Sequence, residues 1–141
     1  MDREIKYRGK NIETGNWVYG HYYIEYPPLN PVKMEDEEEE KEKHWIVFAG
    51  FADWNMPRMT QSQVDHETLG LYSELKVQGN KELYEGDVFH LGDENITYVV
   101  VWNDTGLMGK QIGSSSYVGL KHWQDRIVLI GNIHDNPELL K

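Results

Sequence analysis

Histidines and carboxylates stand close together at three places in the chain, and such groups can bind a metal ion or exchange protons. The three places are Asp65-His66-Glu67, Asp87 with His90, and His134-Asp135. None of them has a recognised ligand spacing. Neighbours in an extended strand point to opposite faces, so Asp65 and His66 are not expected to converge. The sequence therefore favours packing or surface roles for these residues, and it predicts no metal, no cofactor and no catalytic residue.

The charge of the chain argues against broad binding to nucleic acid. The net charge is −10 over 141 residues, whereas neutralising phosphates requires clustered lysine and arginine. A local basic patch is still conceivable from Lys76, Lys81, Lys110, Lys121 and Arg126. A nucleic-acid-associated module therefore stays an alternative, on fold analogy alone.

One segment, residues 35–43, holds seven carboxylates against two lysines. Like charges at this density resist burial, so the segment is predicted to be a mobile, solvated loop. The chain has no cysteine, no leader at Met1 and no apolar run long enough to span a bilayer. We therefore expect one domain over residues 1–141, located in the cytoplasm.

Abundant aromatic residues, frequent glycine and β-branched runs predict a mainly β domain with little helix. Residues 4–8 alternate in polarity and predict a first strand with Ile5 and Tyr7 facing the core. Residues 17–26 predict a second strand that forms a hairpin with the first. Residues 96–102 are the clearest predicted strand, and residues 126–133 are predicted to form the last one. The pattern is typical of a small antiparallel barrel or roll.

Loops and short helical turns are expected between these strands. Residues 51–60 are predicted to be irregular, with Trp54 as the tryptophan best placed to contact a partner. Residues 119–125 permit one helical turn. A last turn is predicted after Asn136, with Asn136 as N-cap and Pro137 in the first helical position.

Residues 69–92 carry four glycines between short strand-like pieces, and they set the register of the predicted roll. Gly70 lies in a short strand. Gly79-Asn80 predicts a two-residue type II′ hairpin turn, which needs positive φ at its first position. Tyr84-Glu85-Gly86-Asp87, called the signature turn below, predicts a tight turn before the next strand.

Several of these pieces resemble the YopX family of small phage and prophage proteins. The family's opening is matched by Arg3-Glu4-Ile5-Lys6-Tyr7-Arg8-Gly9-Lys10 and then Trp17-Val18-Tyr19-Gly20. Its central signature is matched by Leu69-Gly70-Leu71-Tyr72-Ser73-Glu74 and by Leu83-Tyr84-Glu85-Gly86-Asp87-Val88. Its closing signature is matched by Ile130-Gly131-Asn132-Ile133-His134-Asp135-Asn136-Pro137-Glu138-Leu139-Leu140. The pieces occur in the family's order and reach from one end of the chain to the other.

Two departures from the family pattern concern backbone conformation. Glu74 stands where glycine is usual, which puts a special backbone conformation there in question. The usual Asp-Lys-Asn-Gly turn is replaced by Val77-Gln78-Gly79-Asn80, which suggests type II′ in place of type I′.

The resemblance implies an SH3-like roll or barrel of phage origin without established enzymatic activity. It implies structural roles for Gly70, Tyr72, Gly79, Tyr84, Glu85, Gly86 and Asp87. We therefore expect a non-enzymatic interaction module that self-associates and binds a host or phage protein. A nucleic-acid-associated SH3-like module is the alternative, and a metal-dependent hydrolase using Asp65, His66, Asp87, His90 or His134 ranks below it.

Overall fold

The computed structural model describes residues 3–29, 41–52 and 56–141, with residues 51–52 and 56–58 described by their backbone alone. It is mainly β, as predicted, with antiparallel strands. The strands are β1 Tyr7–Asn11, β2 Trp17–Glu25, β3 Lys43–Ala52, β4 Met56–Val77, β5 Lys81–Tyr84, β6 Asp87–His90, β7 Thr97–Asn103, β8 Gly106–Gln111, β9 Tyr117–Val118 and β10 Val128–Asn132. One α-helical turn, α1 Leu120–Trp123, and two 3₁₀ turns, Gln124–Arg126 and Pro137–Leu140, complete it.

The chain divides into two compact units. The first is Lys6–Leu69, and the second joins Met1–Ile5 to Gly70–Lys141. They are called the N-unit and the C-unit below. The boundary falls inside β4, the longest strand. This division into compact units does not test the prediction of one domain over residues 1–141, which stays a prediction.

The N-unit is a barrel-like ring of strands. β1 pairs with β2, β2 with β3 and β3 with β4, all antiparallel, and β1 returns to β4. The first hairpin is thus confirmed, with Lys10 opposite Trp17. Ile46 and Val64 are buried in this unit. The ring agrees with a predicted small roll or barrel, and its likeness to SH3 domains stays a prediction.

The C-unit holds a five-stranded sheet in the order β10-β6-β7-β8-β9. Its buried core consists of Val77, Leu83, Phe89, Val100, Leu120 and Ile127. Leu120 and Ile127 both come from the segment between β9 and β10, since Leu120 opens α1 and Ile127 directly follows the first 3₁₀ turn. Within the part of the chain that the structure describes, no helix has the length and apolarity needed to cross a membrane.

The structure corrects three expectations about strands. β1 begins at Tyr7, and Ile5 lies before it with 53% of its surface exposed, so Ile5 does not face a core. The predicted irregular stretch 51–60 is largely strand, since β3 runs to Ala52 and β4 starts at Met56. Residues 35–40 of the predicted acidic loop lie outside the described residues, and its last residue, Lys43, opens β3.

Two turn predictions are also wrong in detail. Gly79 and Asn80 both have positive φ, +82° and +57°, whereas a type II′ turn requires it at the first position alone. The ladder closes at Val77 and Lys81, so three residues make the connection. The last 3₁₀ turn starts at Pro137 with Asn136 in the N-cap position, as predicted, but Asn136 makes no side-chain cap hydrogen bond. Its Oδ1 instead accepts a hydrogen bond from the backbone N–H of Asn132 at 3.3 Å.

Candidate functional site

The signature turn is held by a buried carboxylate. Asp87 is 2% exposed, and its Oδ2 accepts a hydrogen bond from the backbone N–H of Tyr84 at 2.7 Å. Gly86 has a φ of +92°, a conformation that side-chain-bearing residues rarely adopt. A Cβ on Gly86 would lie 3.6 Å from Nε2 of His134, so the histidine packs against the turn.

The backbone of the same turn ties together three distant parts of the C-unit. The N–H of Glu85 donates to the carbonyl of Leu71 at 3.0 Å. The N–H of Gly86 donates to the carbonyl of Val100 at 2.8 Å, and its carbonyl accepts from the N–H of Ile133 at 3.0 Å. Because these groups bond the protein's own backbone, the geometry favours the predicted structural role over a ligand loop.

The other signature residues pack around this turn. A Cβ on Gly70 would lie 2.6 Å from the carbonyl oxygen of Glu85, which is closer than real Cβ contacts come. Tyr72 lies directly opposite Tyr84 in the β4–β5 ladder, and their rings are 5.2 Å apart. Both tyrosines are buried. Glycine and aromatic packing together fix the distance between β4 and the turn.

The histidines and aspartates proposed as metal ligands stay dispersed. Asp65 and His66 belong to the N-unit, and Asp87, His90 and His134 belong to the C-unit. Asp87 bonds a backbone N–H, as described above, and His90 Nδ1 accepts from the backbone N–H two residues later at 3.0 Å. Across residues 3–29, 41–52 and 56–141, no group of three or more His, Asp or Glu side chains has a geometry that could hold a metal ion.

The N-unit also holds a cluster of titratable groups that the sequence pattern did not predict. His66 stacks on His44 with ring centroids 4.8 Å apart. Nδ1 of His44 shares a 2.5 Å hydrogen bond with the Tyr22 hydroxyl, and its Nε2 lies 3.6 Å from Glu42 Oε1. Burial raises the pKa of Tyr22, and the nearby Glu42 carboxylate raises it further. Tyr22, His44 and His66 come from β2, β3 and β4, and Glu42 lies just before β3, so the strand register was needed to bring them together.

An open groove of about 610 Å³ lies in the C-unit and has an apolar floor. Trp102 and Leu107 form part of it from directly opposite positions on β7 and β8. Leu71 and Leu75 contribute from β4, and Leu120 contributes from the start of α1. Trp102 is 55% exposed, although it shares a face of β7 with core residues. We call this feature the Trp102 groove.

The rim of the Trp102 groove is charged and conformationally strained. Arg3 Nε lies 2.9 Å from Glu74 Oε1, and the two side chains are 57% and 33% exposed. Glu74 has a φ of +68°, so the left-handed conformation is kept where the family's usual glycine is replaced. Lys121 adds a cation to the rim, and its Nζ donates to Oε1 of Gln124 at 3.2 Å.

Two residues of the predicted basic patch are bonded to Gln124, Lys76 through its backbone carbonyl and Lys121 through its ammonium group. Gln124 accepts from Lys121 through its side chain and donates from Nε2 to the carbonyl oxygen of Lys76 at 2.8 Å. The Arg126 guanidinium lies 5.7 Å from the ring centroid of Trp123. Lys81 opens β5 and Lys110 lies in β8. Trp54, the predicted contact residue, lies outside the described residues.

Comparison with models of known protein families identifies the family of this chain. The family model described as YopX protein matches residues 6–141. The chain belongs to the YopX family. No curated protein matches it. Its fold is similar to the crystal structure of protein EF1440 from Enterococcus faecalis, with a TM-score of 0.55, 15% identity, and coverage of 98% of this chain and 99% of that chain.

At 15% identity this likeness concerns the fold alone. Within this YopX chain, the central and closing signatures meet physically, because Gly86 bonds to Ile133 and packs against His134. The Trp102 groove adds residues from β7, β8 and α1, which the family signatures do not cover. The family motifs and the groove therefore overlap along β4 and at Arg3 of the opening signature.

Proposed function

We propose that this YopX-family protein is a non-enzymatic interaction module of phage or prophage origin, which works in the cytoplasm of the host cell and binds a protein partner through the Trp102 groove. The observation that carries the proposal is the half-exposed side chain of Trp102 among the leucines that line the groove. Tryptophan and arginine are enriched among the residues that dominate protein interfaces. Trp102 and Arg3 line this one groove.

The size and composition of the groove fit a partner's side chains. About 610 Å³ is within the range of specific binding pockets. Leucines from β4, β8 and α1 offer apolar area, while Lys121 and the Arg3–Glu74 pair offer polar contacts at the edge. An apolar centre with a polar rim is the usual anatomy of a protein interface.

The non-enzymatic part of the proposal rests on how the signature residues are used. Asp87, the most buried carboxylate of the signature turn, bonds the backbone of Tyr84. The peptide groups of Glu85 and Gly86 are bonded to other strands. Groups used in this way stabilise a scaffold, whereas a catalytic group must face a reacting atom.

Self-association is part of the proposed function, and its support lies in the N-unit. Tyr19, Tyr23 and Met59 are exposed to 46%, 38% and 62%. Tyr23 stacks on Trp45 with ring centroids 6.5 Å apart, directly across the β2–β3 ladder. Alternation along β2 places Tyr19 and Tyr23 on one face of the sheet, with His21 between them. Such an exposed aromatic face is suited to a second copy of itself in an isologous dimer.

A variant pair tests partner binding. Trp102→Ala removes the groove's largest exposed side chain, and Ile130→Ala removes an exposed apolar side chain of β10 outside the groove. Wild type and both variants are immobilised on resin and incubated with host lysate, with and without nuclease treatment. The protein retained after nuclease treatment is identified, purified and titrated against wild type and the two variants. Loss of an interface tryptophan costs about 2 kcal/mol or more, so we expect affinity to fall at least about 30-fold with Trp102→Ala and to stay within about threefold with Ile130→Ala.

Equal affinity of the partner for both variants would refute the groove as the contact. Retention that disappears on nuclease treatment would support the nucleic-acid alternative. Self-association is tested separately by sedimentation equilibrium, in which Tyr23→Ser should shift the wild-type oligomer toward monomer. A wild-type protein that stays monomeric at the highest soluble concentration would remove self-association from the proposal.

A further inference from the structure

The β8 strand has an edge that its neighbour covers only in part. β7 pairs with β8 along its whole length, from Gln111 to Gly106. β9, on the other side, pairs with β8 only at Gly109 and Lys110. Among the described strands, none follows β8 from Gly106 to Met108 on that side. A strand edge of this kind presents backbone N–H and C=O groups that another chain can pair with.

The chain leaves the ladder just where the Trp102 groove begins. Continuing the antiparallel register beyond Val118 would place Gly119 and Leu120 opposite Met108 and Leu107. Gly119 is still extended, with φ −77° and ψ 125°, but α1 starts at Leu120 and turns the chain away. The two branches of this fork line the groove, residues 106–107 from β8 and residues 119–122 from the β9–α1 segment. The groove is thus the gap left by an interrupted strand.

We infer that an extended segment of a partner protein adds to the β8 edge in this fork, pairing its backbone with Gly106–Met108. This inference rests on the proposed function and specifies how the partner is held. Main-chain hydrogen bonds provide affinity in such strand addition, and alternate side chains provide specificity. An apolar groove alone would accept any hydrophobic group. The open edge beside it selects a peptide backbone.

The register also defines the chemistry of the partner segment. Residues directly opposite in a ladder point to the same face. Leu107 is opposite Trp102, and both line the floor of the groove. The partner residue opposite Leu107 therefore points onto that floor and must be apolar. Its two neighbours point to the other face.

A carboxylate in the partner fits the rim beside the apolar residue. Two residues along an extended chain return to the same face, about 7 Å away. Lys121 lies at this rim, and its bond to Gln124 is exposed and easily exchanged. The partner is therefore an extended segment with a branched or aromatic apolar residue and an Asp or Glu two positions from it.

The test uses a displayed library of 12-residue peptides selected on the full-length protein. The best peptide is then resynthesised with one backbone nitrogen methylated at a time, which keeps its side chains and removes one donor. We expect at least about tenfold weaker binding at one or two alternate positions, because each lost main-chain bond acts in a ladder. We also expect slower hydrogen exchange at the amide of Leu107 when the peptide is bound, because alternation from Gln111, whose N–H bonds Ser116 on the β9 side, turns the N–H of Leu107 toward the open edge. Binding to Trp102→Ala should be at least about tenfold weaker than to Ile130→Ala.

The possible outcomes separate this inference from the proposed function. If Trp102→Ala loses the peptide while every methylated form binds as well as the parent, the groove holds side chains without strand addition, and only the inference fails. Unchanged exchange at the Leu107 amide with bound peptide likewise refutes strand addition and leaves the proposed function standing. If no selected peptide distinguishes wild type from Trp102→Ala, the groove is not a peptide site and both proposals fail.

Discussion

Gly70 offers the sharpest test of how the signature turn is built. Gly70 lies in β4 without a positive φ, so its backbone conformation would suit alanine. A Cβ there would nevertheless lie 2.6 Å from the carbonyl oxygen of Glu85. Both groups belong to the backbone, and the N–H of Glu85 is bonded to Leu71 at 3.0 Å. Alanine can therefore fit only if β4 and the turn move apart.

The expected loss follows from three terms. Separating the two segments weakens one buried backbone hydrogen bond, worth about 0.5–1.5 kcal/mol. Overpacking in a close-packed region costs about 1–3 kcal/mol. Replacing glycine by alanine returns about 0.4–1 kcal/mol by restricting the unfolded chain. Gly70→Ala should therefore lower the free energy of unfolding by about 2 kcal/mol.

Gly106→Ala is the matched control. Gly106 opens β8, also lacks a positive φ, and has no atom within 4 Å of a built Cβ. This substitution should leave stability unchanged or raise it by up to about 1 kcal/mol. Urea unfolding of both variants, followed by tryptophan fluorescence and by circular dichroism, measures the difference. If Gly70→Ala is within about 0.5 kcal/mol of Gly106→Ala, the close approach does not fix the turn and the reasoning is wrong.

Three further predictions concern strain, a raised pKa and a buried hydrogen bond. Because Glu74 has positive φ, Glu74→Gly should be more stable than Glu74→Ala by about 1 kcal/mol in urea unfolding. At Thr60, in an ordinary strand, the alanine variant should be more stable than the glycine variant. The same order at both sites would contradict the prediction. Burial and Glu42 raise the pKa of Tyr22, so protonated Tyr22 adds to the free energy of unfolding. This contribution is fully present below the unfolded pKa of about 10 and is lost as pH rises through the folded pKa. Unfolding measured from pH 8 to 12 should show that loss in wild type and less of it in Tyr22→Phe, and identical profiles would refute it. Asp87→Ala should cost about 1–3 kcal/mol of thermal stability because the buried N–H of Tyr84 loses its acceptor, with Asp87→Asn costing less, and an unchanged melting temperature for both would exclude that role.

The strand content of the fold follows from local sequence, while the lengths of strands do not. Residues 96–102 are β-branched or aromatic and fall almost wholly in β7. Residues 51–60, with proline and polar residues, lacked such a pattern. Pairing with β3 nevertheless draws this stretch into β4, with Pro57 opposite Phe51. Tertiary pairing overrode local propensity there, as it commonly does in sheets.

Turn chemistry was predictable in position and less so in conformation. Glycine at position 79 marks the β4–β5 turn correctly, but Asn80 also takes positive φ, because asparagine tolerates the left-handed region. Residue type did not predict the left-handed conformation of Glu74. The fold imposes this conformation at a register shift between Tyr72 and Lys76. Sequence therefore locates turns better than it assigns their dihedral angles.

The Trp102 groove was beyond sequence reasoning because its walls come from four separate segments. Alternation along β7 puts Trp102 on the core-facing side, which reads as a buried residue. The structure leaves it 55% exposed because β9 ends at Val118 and does not cover the end of β8. A gap caused by an interrupted ladder leaves no trace in the periodicity of either strand.

The strain at Glu74 bears on what the groove is for. A left-handed conformation costs a residue with a Cβ about 1–2 kcal/mol, and glycine would avoid that cost. The ion pair with Arg3 does not offset it, because both side chains are partly exposed and such pairs contribute about 0–1 kcal/mol. Stability therefore does not explain glutamate at this position. Strain that persists beside a groove is typical of functional sites, so we expect Glu74→Gly to change partner binding even where it leaves folding intact.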